Sequence, residues 1–333
     1  MTENTGRKTI EDIASIVGCS VGTVSRAINN RKGVSEKTRL KILKIMDDVG
    51  YQPNAVAQSL SKSKTNTIAL LIPEFSHEFL GKMAQAIEAE LSAKGYRTLL
   101  FNTHWDPAVE RRMLIAAQAQ RVDGIILKPS LNSVDFMKDI STPTVLVSHT
   151  FGDDLSYVDI ENEKAGFMAA EYLIQRGYKR LAFVGGKTNI SMAELRYNGY
   201  QKALKQYGLP CYPEYYSKAD DSISEGYLHT EQLLRLPNRP DAVFCMGDMT
   251  ALGACKSAYE HGLNIPTDIG IMGFNNDEIA DLPQVSLTTV MQPKEKMGKM
   301  AARMILDKIE QTDEWYPQKL LYKPEIIARS STK

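Results

Sequence analysis

The sequence predicts two kinds of fold in one chain: a small all-helical unit at the N-terminus and, after a linking segment, a larger α/β unit built from doubly wound parallel sheets. Residues 9–49 carry apolar side chains at helical spacing, whereas from Thr67 onward short apolar strands alternate with amphipathic helices. Charge divides the chain at the same place, because residues 1–64 hold 11 Lys and Arg against 6 Asp and Glu while the whole chain holds 40 of each. A polyanionic partner is therefore expected for the basic N-terminal unit, and a merely solvated basic surface is the alternative.

Length and composition limit the class of protein. A chain of 333 residues is longer than one hydrophobic core usually serves, so two or three compact units are expected. No stretch approaches the roughly 20 apolar residues that a membrane span requires. Met1–Arg7 is polar with no apolar run after it, unlike a signal peptide. We therefore predict a cytoplasmic protein with no membrane partner.

The cysteines give no sign of a metal site or of disulfide bonds. They are scattered along the chain without a CxxC pair, so a zinc site or a disulfide framework is not expected. We predict that each is a small buried hydrophobic residue in a reducing compartment, and that the protein needs no metal or cofactor. The four are Cys19, Cys211, Cys245 and Cys255.

The first predicted helix begins after Thr9. The Thr9 side chain can cap it, and Asp12, three residues later, completes a variant of the capping box. Gly18 is expected to end the helix. The apolar stripe consists of Ile10, Ile13, Ala14 and Val17.

Two further helices complete the N-terminal unit. Ser20 can cap the second and Ser35 the third, and a tight turn containing Gly18 joins the first two, as a helix-turn-helix requires. Together the three helices are expected to enclose a miniature core. Its contributions from the second and third helices are Val24, Ala27, Ile28, Ile42, Ile45, Met46 and Val49.

The outward face of the second helix lacks the Glu and Lys pairs that usually solvate a surface helix. It carries hydroxyls, an amide and one arginine, which are groups suited to phosphates and base edges. Arg26 can pair with a guanine and Val21 can contact a thymine methyl group. A protein-docking three-helix module is the alternative. The face comprises Ser20, Val21, Gly22, Thr23, Ser25, Arg26 and Asn29.

Residues 53–61 are predicted to form a short hinge helix, with Asn54 as its cap. About two helical turns are too few to be stable alone, so the segment should fold only when something else stabilises it. A plain interdomain linker is the alternative. We accordingly divide the chain into a helix-turn-helix domain at 1–52, a hinge and linker at 53–65, and a core at 66–333.

Three segments of this N-terminal region, residues 9–29, 34–39 and 50–60, closely resemble the LacI-GalR family of bacterial regulators. The match is ungapped and carries three motifs in order. The resemblance implies a transcriptional repressor that binds a near-palindromic double-stranded operator as a homodimer. It also implies a two-lobed, periplasmic-binding-protein-like core that senses a small molecule.

The resemblance implies roles for individual residues at the DNA. Val21, Gly22 and Arg26 match base-reading positions, and discrimination at one base pair should be weak because Gly22 has no side chain. Leu60 matches a leucine that wedges into the minor groove, with Ala57 beside it, and Asn54 at the start of the hinge is expected to contact DNA as well. The positions that match phosphate contacts or helix caps are Ser20, Thr23, Ser25, Asn29, Ser35 and Thr38.

The alternation after Thr67 predicts two doubly wound lobes. Ligands of such folds lie beyond the carboxyl ends of the strands, in this case in a cleft between the lobes. The resemblance places the N-lobe at about 66–162 and 293–322, and the C-lobe at about 163–292 and 323–333. The predicted strands are Ile68–Ile72, Thr98–Asn102, Gly124–Lys128, Thr144–Ser148, Leu181–Val184, Ala242–Met246 and Ile269–Gly273.

Residues that follow the strands are the candidates for effector binding. Their mixture of aromatic rings, hydroxyls and charges suits a polyhydroxylated solute. Phe75 and Phe79 fit a lobe core equally well, and Trp105 can be a plain loop aromatic. The candidates are Phe75, Ser76, His77, Phe79, Trp105, Lys128, Ser148, His149, Arg196, Asp221, Asp248 and Asn275.

The resemblance also indicates the chemistry of the effector. Arg196 matches an arginine with which many relatives hold a ligand, a surface ion pair being the alternative. The family often has an acid where Asn275 stands, an Asn or Thr where Gly247 stands, and Asp-Arg where Ser148 and His149 stand. Loss of those acids makes the pocket more cationic, which favours a sugar acid or sugar phosphate. A corepressor such as a purine stays open.

Two other classes of protein fit the sequence less well. An enzyme is disfavoured, because residues 185–188 fail the spacing of a phosphate-binding P-loop and the chain has no GxGxxG or HExxH motif. A periplasmic sugar-binding protein would share the core design, but it would carry an export signal in place of a helix-turn-helix.

Overall fold

The computed structural model describes residues 8–51, 64–130, 137, 140–148, 154–186, 191–310 and 316–333. The chain divides into two compact units, Met1–Thr65 and Asn66–Lys333. Four residues predicted to contact DNA or effector lie outside the described residues: Asn54, Ala57, Leu60 and His149.

The first unit consists of three helices around a small core. They are α1 (Ile10–Val17), α2 (Val21–Ile28) and α3 (Glu36–Asp48). One residue from each helix is completely buried at the centre, namely Ile13, Val24 and Ile42. The predicted helix-turn-helix and its third helix are confirmed.

The helix ends of this unit are set by local side-chain chemistry. The Thr9 backbone N–H donates to Asp12 Oδ2 over 2.8 Å, and Thr9 Oγ1 accepts from the Asp12 N–H, so the predicted capping box is present. Gly18 ends α1 with φ of 77°, a left-handed conformation that favours glycine. Ser20 and Ser35 cap α2 and α3 as predicted.

The second unit contains two six-stranded sheets, and the first defines the N-lobe. All of its strands run parallel, in the order β11-β5-β4-β3-β1-β2. The helices α4 (Glu78–Ala93), α5 (Pro107–Ala119) and α10 (Lys294–Glu310) accompany it. Its strands are β1 (Thr67–Ile72), β2 (Arg97–Asn102), β3 (Gly124–Leu127), β4 (Thr144–Val147), β5 (Ser156–Ile160) and β11 (Lys319–Tyr322).

The second sheet defines the C-lobe. Its order is β12-β10-β9-β8-β6-β7, and only the edge strand β12 is antiparallel to its neighbour. Its helices are α6 (Asn162–Gln175), α7 (Ser191–Gln206), α8 (Ile223–Leu234) and α9 (Asp248–Glu260). Its strands are β6 (Leu181–Val184), β7 (Tyr216–Ser217), β8 (Ala242–Cys245), β9 (Gly270–Asn275), β10 (Thr288–Met291) and β12 (Glu325–Ile327).

The two lobes exchange the chain three times, after β5, after β10 and after β11. The seven predicted strands are all present. The sequence analysis did not predict β5, β7, β10, β11 and β12, several of which are short or polar. In β11, for example, exposed and half-buried side chains alternate, which weakens the apolar signal of a buried parallel strand.

Paired glycines bring helices of the C-lobe close together. A Cβ on Gly166 would lie under 3.0 Å from the backbone of Arg196, and one on Gly199 equally close to the backbone of Glu163. Because any side chain here would push α6 and α7 apart, the two glycines fix the distance between these helices. They thereby fix the position of Arg196, which projects from α7.

Two observations bear on the expectations about cysteine burial and membrane spans. Cys245 is buried and Cys19 and Cys255 are half-buried, but Cys211 is exposed, so the prediction that every cysteine is buried is wrong. Cys211 lies between α7 and β7, within residues 210–214, all of which are exposed. Among the described residues, no helix is both long and apolar enough to cross a membrane.

Candidate functional site

The exposed face of α2 presents the base-reading candidates to solvent. Val21 is 40% exposed and Gly22 and Arg26 are also exposed. Within the described residues 8–51, no side chain of this face forms a salt bridge. Along one surface the helix therefore presents the apolar side chain of Val21, a position without a side chain at Gly22, and the guanidinium of Arg26.

The hydroxyls and the amide near α2 also hold the helix ends. Ser20 Oγ accepts the Thr23 N–H over 3.2 Å and lies 2.9 Å from Thr23 Oγ1. At the other end, Asn29 Nδ2 donates to the Ser25 carbonyl oxygen over 2.9 Å. These hydrogen bonds thus hold the Ser20, Thr23 and Asn29 side chains in one orientation.

The start of α3 repeats the arrangement seen at the start of α2. Ser35 Oγ accepts the Thr38 N–H over 3.2 Å and lies 2.8 Å from Thr38 Oγ1. In the same unit, Lys41 Nζ donates to the Val17 carbonyl oxygen over 3.2 Å, so a backbone carbonyl group fixes this charged side chain. Two helix N-termini with exposed N–H groups and hydroxyls are suited to phosphate contacts.

The second unit contains a cavity of about 540 Å³ between its lobes, at the carboxyl ends of the strands. It receives side chains from both lobes. Eight of the predicted effector residues line it: His77, Phe79, Trp105, Lys128, Ser148, Arg196, Asp221 and Asn275.

Three predicted effector residues lie elsewhere. Phe75 is 43% exposed and belongs neither to this cavity nor to the lobe core. Ser76 Oγ instead donates to Glu74 Oε1 over 2.7 Å. Asp248 is fully buried inside the C-lobe, where it accepts hydrogen bonds from Thr289 Oγ1 at 2.6 Å and from the Asp277 N–H at 2.7 Å. Burial raises the pKa of Asp248 to about 7.

The sequence analysis missed several residues of the cavity wall. His104 stands next to Trp105, and Asp220 next to Asp221, so reading whole loops would have found both. Gln292 follows β10, a strand that was not predicted. The other missed residues are Glu74, Leu80, Gly186, Met192, Ala219, Ser222, Met246 and Thr250.

Arg196 is only 3% exposed and is held from behind. Its Nε donates to Asn162 Oδ1 over 2.9 Å, and its guanidinium carbon lies 3.5 Å from the ring centroid of Phe274. Asn162 Nδ2 in turn donates to Asp159 Oδ2 over 3.0 Å. Burial lowers the pKa of Arg196 to about 10, where it is still charged at neutral pH.

Lys128 is a second buried cation at the same cavity. Its Nζ donates to the Pro129 carbonyl oxygen over 3.2 Å and lies 5.3 Å from the ring centroid of Trp105. Burial lowers the pKa of Lys128 to about 8, although the charges of Asp159 and Glu110 oppose that shift. Within the described residues, no carboxylate oxygen lies within 4.0 Å of the charged nitrogens of Lys128 or Arg196.

Asp159, whose charge acts on both Lys128 and Arg196, does not itself line the cavity. Asp159 lies beneath the cavity, fully buried, and accepts from the Ile160 N–H over 2.8 Å as well as from Asn162. Burial raises the pKa of Asp159 to about 6. Asp159 therefore acts on the two cations from behind Asn162, while Asp221, which lines the cavity, also acts on Arg196.

The other end of the cleft joins the lobes through an acid and a histidine. His77 Nε2 lies 2.8 Å from Asp221 Oδ2. Deeper in the cleft, Gln292 Nε2 donates to Asn275 Oδ1 over 2.7 Å, which occupies the amide oxygen of Asn275. Ser148 Oγ donates to Met192 Sδ over 3.1 Å across the lobes.

Comparison with known proteins places the chain. The profile of the family described as "Bacterial regulatory proteins, lacI family" matches residues 9–54, and that of the "Periplasmic binding protein-like domain" matches residues 170–332. The HTH-type transcriptional repressor PurR of Vibrio atlanticus (strain LGP32) is 32% identical over 332 residues, which cover 98% of each chain. The chain belongs to the lacI family. It is accordingly a DNA-binding transcriptional regulator.

Other transcriptional regulators match over nearly the whole chain. The HTH-type transcriptional regulator DegA of Bacillus subtilis (strain 168) is 31% identical, with 98% of each chain covered. The solved "transcriptional regulator CelR-cellobiose complex" is 29% identical, covers 98% of this chain and 100% of its own, and has a TM-score of 0.73. The lac repressor dimer bound to operator and the anti-inducer ONPF has a TM-score of 0.89 at 23% identity and 98% and 99% coverage, and shares the fold.

Proposed function

We propose that this lacI-family protein is a cytoplasmic repressor that binds a near-palindromic operator as a homodimer and leaves it when a small anionic sugar derivative binds in the cleft. The observation that carries the effector class is the pair of buried cations, Lys128 and Arg196, that face the cavity with no carboxylate oxygen within 4.0 Å among the described residues. An anionic ligand would supply the charge that these two side chains lack.

The operator-binding role rests on α2 and the start of α3. Arg26 and Val21 would read bases, and the backbone and hydroxyl groups at the two capped N-termini would contact phosphates. For Asn54, Ala57 and Leu60 the proposal rests on the sequence resemblance. We also propose the division at residues 1–52, 53–65 and 66–333, and the lobe boundaries that the resemblance implies.

The rest of the cavity suits a hydroxylated ligand. Asp221, Ser148 and Thr250 offer oxygen acceptors or hydroxyls, and Trp105 offers an apolar ring. A volume of about 540 Å³ is ample for a sugar-sized molecule together with water. A sugar acid or sugar phosphate would place its charged group at Lys128 and Arg196 and its hydroxyls toward Asp221.

We further propose that the cleft binds its ligand without converting it. The Thr250 hydroxyl, which lines the cavity, donates to Asp221 over 2.9 Å, but the same carboxylate oxygen also accepts the Thr250 N–H, so this contact serves the N-terminus of a helix. Incubation of the ligand with the protein should leave its NMR spectrum unchanged.

A ligand panel tests the effector class. Thermal shift followed by isothermal titration calorimetry would compare D-gluconate, D-glucuronate and D-glucose 6-phosphate with D-glucose, D-ribose and hypoxanthine. We expect one of the anionic sugars to bind most tightly and to raise the melting temperature of the core. Tight binding confined to a neutral sugar would refute the anionic class, and tight binding of hypoxanthine alone would favour a purine corepressor.

A further inference from the structure

The N-terminus of α9 lacks a side chain of its own. Gly247 is the N-cap residue, and its φ of −151° is extended backbone that any residue adopts. The glycine is required for space instead, because a Cβ at this position would lie under 3.0 Å from both carboxylate oxygens of Asp221. The absence of a side chain at 247 therefore determines where the Asp221 carboxylate can stand.

Asp221 takes the place of the missing cap. Its Oδ1 accepts the Thr250 N–H over 3.1 Å and the Thr250 hydroxyl over 2.9 Å. By contrast, α1, α2, α3, α5 and α8 are each capped by the side chain of their own N-cap residue. The carboxylate that caps α9 comes from the loop between β7 and α8, and only one of its oxygens is used for capping.

The second oxygen of the same carboxylate reaches the opposite lobe. Asp221 Oδ2 lies 2.8 Å from Nε2 of His77, the N-cap residue of α4 in the N-lobe. The His77 ring stands edge-on to Phe79, and its Nδ1 is buried without a hydrogen-bond partner among the described residues. His77 and Asp221 line both the cleft and a second cavity of about 880 Å³, so the pair forms the wall between the two.

The charges around the pair support an ionised contact. Burial alone would lower the pKa of His77, but the hydrogen bond and charge of Asp221 raise it above its usual value, helped by Asp277 and Glu74. Burial would raise the pKa of Asp221, yet hydrogen bonds from His77 and Thr250 hold it below its usual value.

Neighbouring elements add further charges. Lys294, at the start of α10, bonds to Glu78 at 3.1 Å and to Asp277 at 2.8 Å. Those two acids are thereby partly neutralised by a lysine of their own. The charge of Asp221 also acts on Arg196 and on Asp248. Asp221 remains the only acid within hydrogen-bond distance of His77 among the described residues.

We propose that Gly247, Asp221 and His77 form an interlobe latch that holds the effector cleft closed, with Gly247 as the positioning residue that permits it. This inference rests on the proposed function, because closure of the lobes over an effector is the step that the latch would favour. In open lobes His77 would lose its acid partner, so closure takes up a proton when the pH is near neutral.

The pH dependence of the interlobe latch follows from the directions in which the pKa values of His77 and Asp221 are shifted. His77 has a raised pKa in the closed form, so its contribution is complete below about 6.5 and is lost as the pH rises through that raised value. Asp221 has a lowered pKa, so its contribution is present above about 3.9 and is lost as the pH falls through the lowered value. The interlobe latch is therefore strongest between about pH 4 and pH 6.5.

Titration of the histidines tests the interlobe latch without any effector. The full chain would be labelled with ¹³C-histidine and its 5 histidine signals followed by NMR, His77 being assigned with His77→Gln. We expect His77 to titrate above about 6.5 in the wild type. In Asp221→Asn and in Gly247→Ala it should titrate below about 6.5, because burial is then opposed only by the weaker effects of Asp277 and Glu74. Gly22→Ala, which changes a glycine of α2, should behave as the wild type.

Gly247→Ala is the decisive variant because it alters neither titrating group. If His77 titrates in Gly247→Ala as it does in the wild type, the proposed role of Gly247 is wrong. Should Gly247→Ala fail to fold, Asp221→Asn decides the latch itself, and an unchanged His77 titration in that variant overturns it.

Effector affinity tests the link to function. With the anionic sugar that binds best in the panel, calorimetry at pH 6 should show Gly247→Ala and Asp221→Asn weakened by about tenfold, and the difference from wild type should shrink at pH 8.5. Equal affinity of all three proteins at pH 6 would contradict the role of the interlobe latch in closure. If no sugar of the panel binds the wild type, the proposed effector class fails, and the histidine titration still decides the latch.

Discussion

Arg26 and Arg196 are both arginines on helices, but the two units of the chain present them in opposite ways. Arg26 lies exposed on α2, with no ion pair among the described residues. Arg196 lies 3% exposed on α7, hydrogen-bonded to Asn162 and stacked on Phe274. The first is offered to solvent, and the second is held in place before any ligand arrives.

The difference matches the size of the two partners. A duplex is a large polyanion that approaches from solution, so an exposed guanidinium can find its base or phosphate as counterions are released. A small molecule makes few contacts. The protein must therefore hold each contacting group in position before the ligand arrives if binding is to be tight. Under the proposed function, the buried cations of the cleft and the free cation of α2 would serve these two kinds of recognition.

The largest expected effect is a loss of stability on changing a glycine to alanine in the second unit, compared with the same change in the first unit. Gly199→Ala should separate α6 from α7, because the new Cβ would lie under 3.0 Å from the Glu163 backbone. We expect a loss of about 3 kcal/mol, or about 10 °C in the melting temperature of the core by calorimetry. Gly22→Ala is the matched control, since its Cβ meets only Ser20 Oγ at 3.7 Å, and it should not destabilise the protein. Equal effects would contradict the close helix packing that positions Arg196.

Arg196→Ala should remove the charge partner of an anionic effector. The loss of a charge-assisted hydrogen bond in a buried site is expected to weaken effector binding by about 100-fold in calorimetry. Operator affinity in the absence of effector should stay unchanged. Arg196→Lys keeps the charge but not the bidentate fork, and should recover only part of the binding. Unaltered effector affinity in Arg196→Ala would show that the ligand is held elsewhere.

Arg26→Ala should show the reverse pattern. Loss of one bidentate base contact is expected to cost about 1–3 kcal/mol, which is roughly 5- to 150-fold in operator affinity. The operator would be selected from random duplexes by the wild-type protein, and binding measured by fluorescence anisotropy at fixed salt. Lys44→Ala, an exposed cation on α3, is the control and should reduce binding far less. Similar losses in both variants would mean that α2 contributes only general charge.

The cleft should also respond to pH through Lys128. Its pKa of about 8 means that it loses its charge in mildly alkaline solution, where Arg196 stays charged. An anionic effector stabilises the protonated lysine and so raises its pKa, and its affinity should therefore fall by up to about tenfold per pH unit as the pH rises above about 8, until the pKa that Lys128 has in the complex is reached. Calorimetry at several pH values measures the slope. Lys128→Met should bind weakly and without this slope, and a slope that persists in Lys128→Met would assign it to another group.

The N-terminal unit could be predicted closely from the sequence because its signals are local. Thr9 and Asp12 are three residues apart, and Gly18 ends α1 by its own backbone conformation. Ser20 and Ser35 likewise cap helices that begin at the next residue. Such hydrogen bonds depend on neighbours in the chain, so their partners are visible in the sequence.

The cleft could be predicted only in part because its contacts join distant segments. The rule that ligands lie beyond the strand ends pointed to the loop of Trp105, which does line the cavity. It could not distinguish Asp221, which faces the cavity, from Asp248, which is consumed by Thr289 inside the lobe. The fold alone reveals that Gly247 leaves room for a carboxylate from another loop.

The most direct test of the central claim is operator affinity with and without the effector. Anisotropy would measure the Kd for the selected operator, first in the free protein and then with a saturating amount of the sugar that binds the cleft best. We predict that the sugar raises the Kd at least about fivefold in the wild type and leaves it unchanged in Arg196→Ala. A sugar that binds the cleft tightly and leaves the wild-type Kd for operator unchanged would contradict the account.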